Sequence, residues 1–562
     1  MNAACAQELP APAVIPAVGA MKMIVSRKEA KTQRKNRRQL KRSGVFSSWF
    51  LLLLCVFASL RETIASPAPR ALPPETEAKI RALLDAPELQ AGRVGVLISA
   101  LGTAATPQAF PAAPYDDKTQ PVLFALDAEK RFTPASNMKL FTAAMALKVL
   151  GPEKTFATTV YGKAPDLPKQ GSLWLIGGGD PSFDDEGLQK LAKQVLRSKK
   201  VSASGVFADG TLFGGETFER RYPDGWTLDD TLWYYGPEIS ALAYNRNQLD
   251  VEIMGGPKSG DLAQVKATPM QPALGVSGYV KTGGEELRSK SEDDLVKVAR
   301  MIRNDLDFSM CIFGQVAPRQ KIALGIAVPF HELWAAEGLI RQLRLLGSNK
   351  LTNYDMQAGY RPRFSLPEDF KDYREIARHE SPPLRELMKR LLKNSDNLYA
   401  EMILRGAALE SLKPQDRTPD TNYAQRGHEL IKSWLKENGV ATDALKFTDG
   451  SGLSRYNLVT PRAVAGVLSA VEKVPGADAF WNALPIAGVD GTMKNRGKGT
   501  AMENNARAKS GTFSIVSCLS GYVTTRDNTR LSVVILTNFV PAGTAARRMQ
   551  DAVFSTLADA RF

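Results

Sequence analysis

The stretch Pro134-Ala135-Ser136-Asn137-Met138-Lys139, followed at once by Leu140-Phe141-Thr142-Ala143-Ala144-Met145-Ala146-Leu147, constrains this chain more than any other. Pro134 suits the first turn of a helix, because its φ is already helical and its missing N–H would be unpaired there anyway. The residues after it are apolar nearly all round, which is how a helix reads when it runs through a core rather than along a surface. Ser136 and Lys139 stand three apart and share one face. Desolvation disfavours the ammonium form of a lysine held in such a place, until it can take the serine proton. Ser136 is then a candidate nucleophile and Lys139 its base, although Ser-x-x-Lys alone is a common pattern and reads equally as an ordinary first turn.

A chain of 562 residues exceeds what one hydrophobic core usually serves, so more than one domain is expected. Its net charge of +14 suggests a polyanion binder, but +8 of it lies in residues 1–66, leaving +6 for the rest. Ten Lys/Arg fall between Lys22 and Arg42, and an uncharged run from Ser43 to Leu60 follows. A charged region, a short apolar run and small residues at Thr63-Ile64-Ala65-Ser66 describe a secretory signal cleaved near Ala65. Retention as a single anchor is the alternative, against which Arg61 and Glu62 follow the run closely. Cys5 and Cys55 belong to this leader, and Cys311 and Cys518 read as two unpaired core cysteines. No C-x-x-C or His cluster points to a metal.

Further along, Glu75–Ala86 reads as an amphipathic helix, and Arg93–Leu101 and Val122–Asp127 as strands. From about Phe156 the texture changes to short strands and turns. Gly177-Gly178-Gly179-Asp180-Pro181 lacks the Gly-Lys-Ser/Thr of a phosphate loop and reads as a tight turn. The aromatics of Trp233-Tyr234-Tyr235 are expected to pack between strands, with a ligand groove as their other use. Helical spacing returns at Pro383–Lys393 and ends at Asn394-Ser395-Asp396-Asn397, which opens another helix. Ser395 and Asn397 at such a junction can point into one cleft, or the three residues can serve as a plain N-cap. Asp449-Gly450-Ser451-Gly452-Leu453-Ser454-Arg455 and Leu484–Thr492 are Gly-rich loops of the kind that shape a site. Ala506–Ser510, Leu519–Thr524 and Leu531–Asn538 form an antiparallel meander closed by a helix at Ala545–Ala560. Glycine at 511 lets a substrate backbone approach the first of these strands.

Ser136-x-x-Lys139, Ser395-x-Asn397 and Lys509-Ser510-Gly511-Thr512 stand in the order used by active-site serine penicillin-recognising enzymes. With the loops at Leu175–Pro181, Tyr235–Asn247, Asp449–Arg455 and Leu484–Thr492, the chain resembles the penicillin-binding protein 4 family, the low-molecular-mass class C D-alanyl-D-alanine carboxypeptidases and endopeptidases. The resemblance covers nearly all of residues 75–562. It implies an α+β fold: a penicillin-binding/β-lactamase-like transpeptidase domain, an antiparallel sheet flanked by helices, made of residues 67–160 and 366–562 with β-rich domains inserted at 161–365.

The chemistry that the resemblance implies is attack by Ser136 on a D-Ala-D-Ala carbonyl to give an acyl-enzyme. Lys139 would be the base, and Ser395 and Asn397 would move the proton and orient the peptide. Lys509 with Ser510, Gly511 and Thr512 would bind substrate, and the N–H groups of Ser136 and Thr512 would hold the oxyanion. Ser510 replaces the usual threonine and keeps its hydroxyl. Peptidoglycan peptides are the implied partners, β-lactams covalent inhibitors, and the periplasm the compartment. No cofactor, metal or nucleic acid is implied, and a membrane only through an uncleaved leader. None of His331, His379 and His428 stands beside a nucleophile in the sequence, which disfavours a Ser-His-Asp hydrolase. A β-lactamase or esterase on the same scaffold, and a noncatalytic wall-binding or β-lactam-sensing protein, are the rival readings.

Overall fold

The computed structural model describes residues 71–562 apart from 104–120, 164–170, 199–202, 215–220, 270–273, 305–306, 348–356, 361–367, 419 and 541–543. The expected signal segment lies outside the described residues, among which no helix is long and apolar enough to cross a membrane.

Helix α1 (Pro74–Leu84) precedes strands β1 (Arg93–Thr103) and β2 (Val122–Leu126), and a single 3-10 turn, Ala135–Asn137, leads into α2 (Met138–Leu150). A long excursion follows: β3 (Ala157–Lys163), β4 (Gly171–Ile176), α3 (Asp185–Arg197), β5 (Ala203–Asp209), β6 (Gln248–Met254), β7 (Gln264–Thr268), β8 (Leu274–Thr282), β9 (Val296–Asn304), β10 (Asp307–Val316), β11 (Lys321–Ala327), α4 (His331–Leu345), β12 (Gln357–Tyr360) and β13 (Tyr373–Glu380). Then come helices α5 (Leu384–Lys393), α6 (Asn397–Glu410), α7 (Tyr423–Glu437), α8 (Pro461–Ala470) and α9 (Ala477–Ala483). After them lie β14 (Arg507–Phe513), β15 (Val516–Thr524), β16 (Thr529–Asn538) and α10 (Thr544–Asp559).

One antiparallel sheet, in the order β14-β15-β16-β1-β2, organises the part that carries the motifs. The two-residue period of its strands splits their side chains between two cores. Leu97, Val534 and Leu536 pack with α2 and α5–α9 on one side, while Val96, Ile98, Val533 and Ile535 pack with α1 and α10 on the other. Every residue of β16 is buried, so its sequence reads as a continuous rather than alternating apolar run. On α2, Met138 to Leu147 are all buried, as the apolar sequence requires.

The excursion begins and ends side by side, with β3 antiparallel to β13 and Ala157 opposite Glu380. It contains a mixed sheet, β12-β5-β4-β3-β13, and two three-stranded sheets, β11-β6-β7 and β8-β10-β9. Beyond the strands expected there, it builds two helices into its core. In α3 the Asp184 carboxylate caps Gly187 N–H, and Leu188, Leu191, Ala192 and Val195 form the buried face. Cys518 is buried, whereas Cys311, expected in the core, is half-buried; both thiols are free.

Candidate active site

The sequence suggests a helix from Pro134, but the α-helix begins only at Met138. Ser136 lies in the 3-10 turn before it, behind Ala135, whose φ of 45° is left-handed. An alanine there is strained, and such strain persists only where surrounding structure fixes it. Two glycines provide that structure. A Cβ on Gly452, whose own φ is +83°, would collide with the Ala135 carbonyl, and one on Gly511 would lie 2.8 Å from Ser136 N and 2.9 Å from Pro134 O. Glycine at 511 thus admits the serine turn itself against β14, a closer backbone than the substrate strand invoked from the sequence.

Lys139, one turn further on, is fully buried. Its Nζ donates to Ser136 Oγ at 3.1 Å, to Asn397 Oδ1 at 2.5 Å and to the Ser451 carbonyl at 2.7 Å. Burial lowers its pKa to about 8, against Asp449, Glu401 and Asp396, which favour the ammonium. Two of the three partners, an amide oxygen and a carbonyl oxygen, can only accept. In the neutral amine both hydrogens therefore go to Asn397 and Ser451, leaving the lone pair for the hydroxyl of Ser136.

The second motif serves both of its readings at once. Asp396 is the N-cap of α6, accepting from Tyr399 N–H and from Arg390 Nε, the latter at 2.9 Å, while the residues on either side of it line the cleft. Ser395 has a left-handed φ of 61°. The Asn397 amide also donates to the Tyr235 carbonyl at 2.7 Å, which fixes which end of it faces Lys139.

The third motif lies on β14, the edge strand of the sheet, where every second backbone N–H is open to a ligand. Ala508 N–H uses one of these positions on the Pro485 carbonyl, and Thr512 repeats the same strand parity. Ser510 Oγ donates to Thr492 Oγ1 at 2.8 Å. Lys509 is fully buried and donates to the Ser510 carbonyl at 2.6 Å. Burial and the like charge of Lys139 hold it well below an ordinary lysine. Ser136, Ser395, Asn397 and Thr512 line a cleft of about 1040 Å³, whereas Lys509, buried on the face of β14 that it shares with Gly511, is not among the lining residues. Tyr234 and Tyr235 line the cleft too, so these aromatics take the groove role rather than the strand-packing one.

A half-buried serine held by a desolvated lysine, beside an edge strand and a Ser-x-Asn turn, excludes none of the rival hydrolases by geometry alone. The D-Ala-D-Ala carboxypeptidase 3 (S13) family matches residues 110–559. The chain belongs to this family. As its member it is a serine-type D-Ala-D-Ala carboxypeptidase. The D-alanyl-D-alanine carboxypeptidase of Actinomadura sp. (strain R39) is 30% identical over 501 residues, 86% of this chain and 85% of that relative. The crystal structure of penicillin-binding protein 4 from Haemophilus influenzae shares the fold, with a TM-score of 0.67 at 22% identity over 85% of this chain and 99% of that one. The same protein complexed with a β-lactam matches with a TM-score of 0.62 at 22% identity, over 84% and 98% of the two chains.

Around this carboxypeptidase site stand residues that the motifs do not name. Asp449, fully buried, folds its Gly-rich loop by accepting from Gly452 N–H at 2.7 Å, Ser454 N–H at 2.6 Å and Asn457 Nδ2 at 2.7 Å. It also accepts from Trp226 Nε1 of the excursion at 3.0 Å, and Arg455 of the same loop pairs with Asp230 at 2.6 Å. Ser451 Oγ is a fifth donor at 3.1 Å, and the sequence marks this loop by its glycines but not Asp449 as its hub, because the five donors converge only in three dimensions. The fold also places His331 Nε2 2.7 Å from Ser240 Oγ and its Nδ1 3.2 Å from Glu238 Oε2, a serine-histidine contact that the sequence separation of 91 residues does not announce. Ser240 is 7% exposed, lies outside the cleft and bonds both N–H and carbonyl of Leu242, so the trio ties the excursion together.

Proposed function

We propose that Ser136 is the nucleophile and Lys139 the general base of a penicillin-sensitive D,D-carboxypeptidase that also cleaves cross-links as a D,D-endopeptidase. The observation that carries this reading is the 3.1 Å contact between Lys139 Nζ and Ser136 Oγ, with the lone pair of the neutral amine directed to the hydroxyl. Ser136 Oγ attacks the carbonyl of the penultimate D-Ala as its proton passes to Lys139, and the oxyanion faces the N–H groups of Ser136 and Thr512. Ser395, in the same cleft, relays the proton to the leaving amine, and the C–N bond breaks to leave an acyl-enzyme. Water, deprotonated by the same lysine, hydrolyses the ester and restores Ser136. Lys509, buried on the same face of β14 as Gly511, acts on the terminal carboxylate through its charge and through the strand it supports. A β-lactam carbonyl enters the same attack and stays as a stable ester, consistent with the β-lactam complex of the Haemophilus influenzae relative.

The proposal extends to the whole chain: residues 1–66 direct export and are removed, residues 67–160 and 366–562 form the catalytic domain, and 161–365 is an insertion. The substrate, peptidoglycan stem peptide, then places the enzyme in the periplasm. The test is covalent labelling of residues 66–562 by a fluorescent penicillin, beside Ser136→Ala, read by intact mass. One stable adduct on the parent and none on the variant is expected. Rapid turnover without a lasting adduct would move the assignment to a β-lactamase, and neither adduct nor turnover in folded protein would leave a noncatalytic binder.

A further inference from the structure

Glu401 has no part in the proton route above, yet it holds the backbone on which Lys139 rests. It stands four residues after Asn397 on α6 and is fully buried. Its Oε1 accepts the N–H groups of Gly450 and Ser451, both at 2.8 Å, and its Oε2 accepts Arg405 Nη1 at 2.7 Å. The carbonyls of the same two residues face α2: Gly450 O accepts from Thr142 Oγ1 at 2.6 Å and Ser451 O from Lys139 Nζ at 2.7 Å. One carboxylate therefore holds, from the α6 side, the N–H groups of two residues whose carbonyls meet α2; the Gly450–Ser451 peptide unit spans the gap directly, and the next one, which carries the Ser451 carbonyl, is held at its Gly452 N–H by Asp449. Both of its oxygens accept from donors, which suits a carboxylate, although burial and the nearby Asp449 raise its pKa against the pull of Arg405.

We propose that Glu401 is a positioning residue for the base: by clamping the N–H groups of Gly450 and Ser451 it places the residue whose carbonyl takes one hydrogen of Lys139, and so aims the amine at Ser136. The inference rests on the reading of Lys139 as the base. Without the clamp Ser451 is held only from its far side, through Gly452 N–H on Asp449, its carbonyl shifts against the amine, and a misplacement of about 1 Å at a reacting group can cost on the order of 100-fold in rate. The charge matters as well as the geometry. Asp449, Glu401 and Asp396 face Lys139 and favour its ammonium, Lys509 opposes them as a like charge, and Arg405 offsets Glu401.

Two variants of the full chain separate position from charge, each followed by the second-order rate of acylation by a fluorescent penicillin from pH 5 to 10. Glu401→Asp keeps the charge but withdraws its oxygens by one methylene. It is expected to lower the rate plateau at least 10-fold with the acid limb in place and with one label per chain at completion. Glu401→Gln combined with Arg405→Met removes the charge without stranding the arginine. It is expected to lower the plateau and to move the acid limb to lower pH. A parent rate and acid limb in the fraction of either variant that labels, with only the labelled fraction or Tm reduced, would make Glu401 merely structural and overturn the proposal. Lys139→Arg tests the underlying reading by itself: a parent-like rate there would remove Lys139 as base, whereas loss there with parent-like Glu401 variants removes only this inference.

Discussion

The side-chain amide of Asn397 donates to the backbone carbonyl of Tyr235 at 2.7 Å, joining residues 162 apart in sequence. Its other end, Oδ1, receives Lys139, so a residue of the excursion decides how the catalytic cleft presents an acceptor to its lysine. Trp226 does the same for the loop that carries the Ser451 carbonyl, through Asp449. The excursion is thus part of the wall that orients the base. Removing residues 161–365 is expected to abolish acylation even by a small penicillin, measured by labelling on protein shown to be folded by circular dichroism. Retained labelling of small β-lactams would instead limit the segment to steering large substrates. Trp226→Phe is the gentler form of the same test. Losing one hydrogen bond to a buried carboxylate costs about 1.5–3 kcal/mol, and a slower acylation rate is expected with the fold intact.

Acylation should rise with pH through an acid limb near 8, because only the neutral amine of Lys139 can take the serine proton and burial sets its pKa at about 8. A stopped-flow series with a chromogenic β-lactam measures this directly, and a limb far below pH 7 would contradict it. The sign for stability follows from the same shift. Between about 8 and the ordinary lysine value of 10.5 the unfolded chain holds a proton on this residue that the folded chain does not, so folding gains from rising pH across that window. Lys509, lowered by burial and by Lys139, works in the same sense.

Gly511→Ala is expected to impair the enzyme more than the size of a methyl group suggests. The added Cβ would meet Ser136 N and Pro134 O, both backbone atoms with no rotamer to yield, so either β14 or the serine turn must move. The expected result is a drop in acylation rate of about 100-fold with a smaller change in Tm. A parent rate in Gly511→Ala would show that the turn and the strand can part without cost.

What could be read in the sequence follows what is local. The apolar run after Lys139 declares a buried helix, and the spacing Ser136-x-x-Lys139 survives the shift of the helix start because the 3-10 turn before Met138 keeps the two side chains together. The meander of β14–β16 is equally local, a run of strands with short turns. Lys509 could be placed on its strand but its full burial could not be read there, since side chains of a strand alternate between two faces and no pattern in seven residues says how deeply each is covered. Helices α3 and α4 interrupt a stretch whose texture is set by short strands, which masks their helical spacing. Glu401 did leave a signal. A Glu and an Arg four apart in an otherwise apolar helix announce a buried ion pair, though not what its second carboxylate oxygen holds.

Asp449→Asn is the substitution that bears on both stability and chemistry. The carboxylate accepts from Gly452 and Asn457 on Oδ1, and from Trp226, Ser451 and Ser454 on Oδ2, and of these partners only the Ser451 hydroxyl could accept in return. An amide nitrogen in place of either oxygen would face two or three donors, stranding buried polar groups at about 1–3 kcal/mol each. The variant is therefore expected to lose roughly 3 kcal/mol or more in urea unfolding. Asp449 is also the foremost of the charges that favour the Lys139 ammonium, so its neutralisation should move the acid limb of acylation to lower pH even as the plateau falls. A destabilised variant whose acid limb stays at the parent position would mean that Asp449 builds the loop without tuning the lysine behind it.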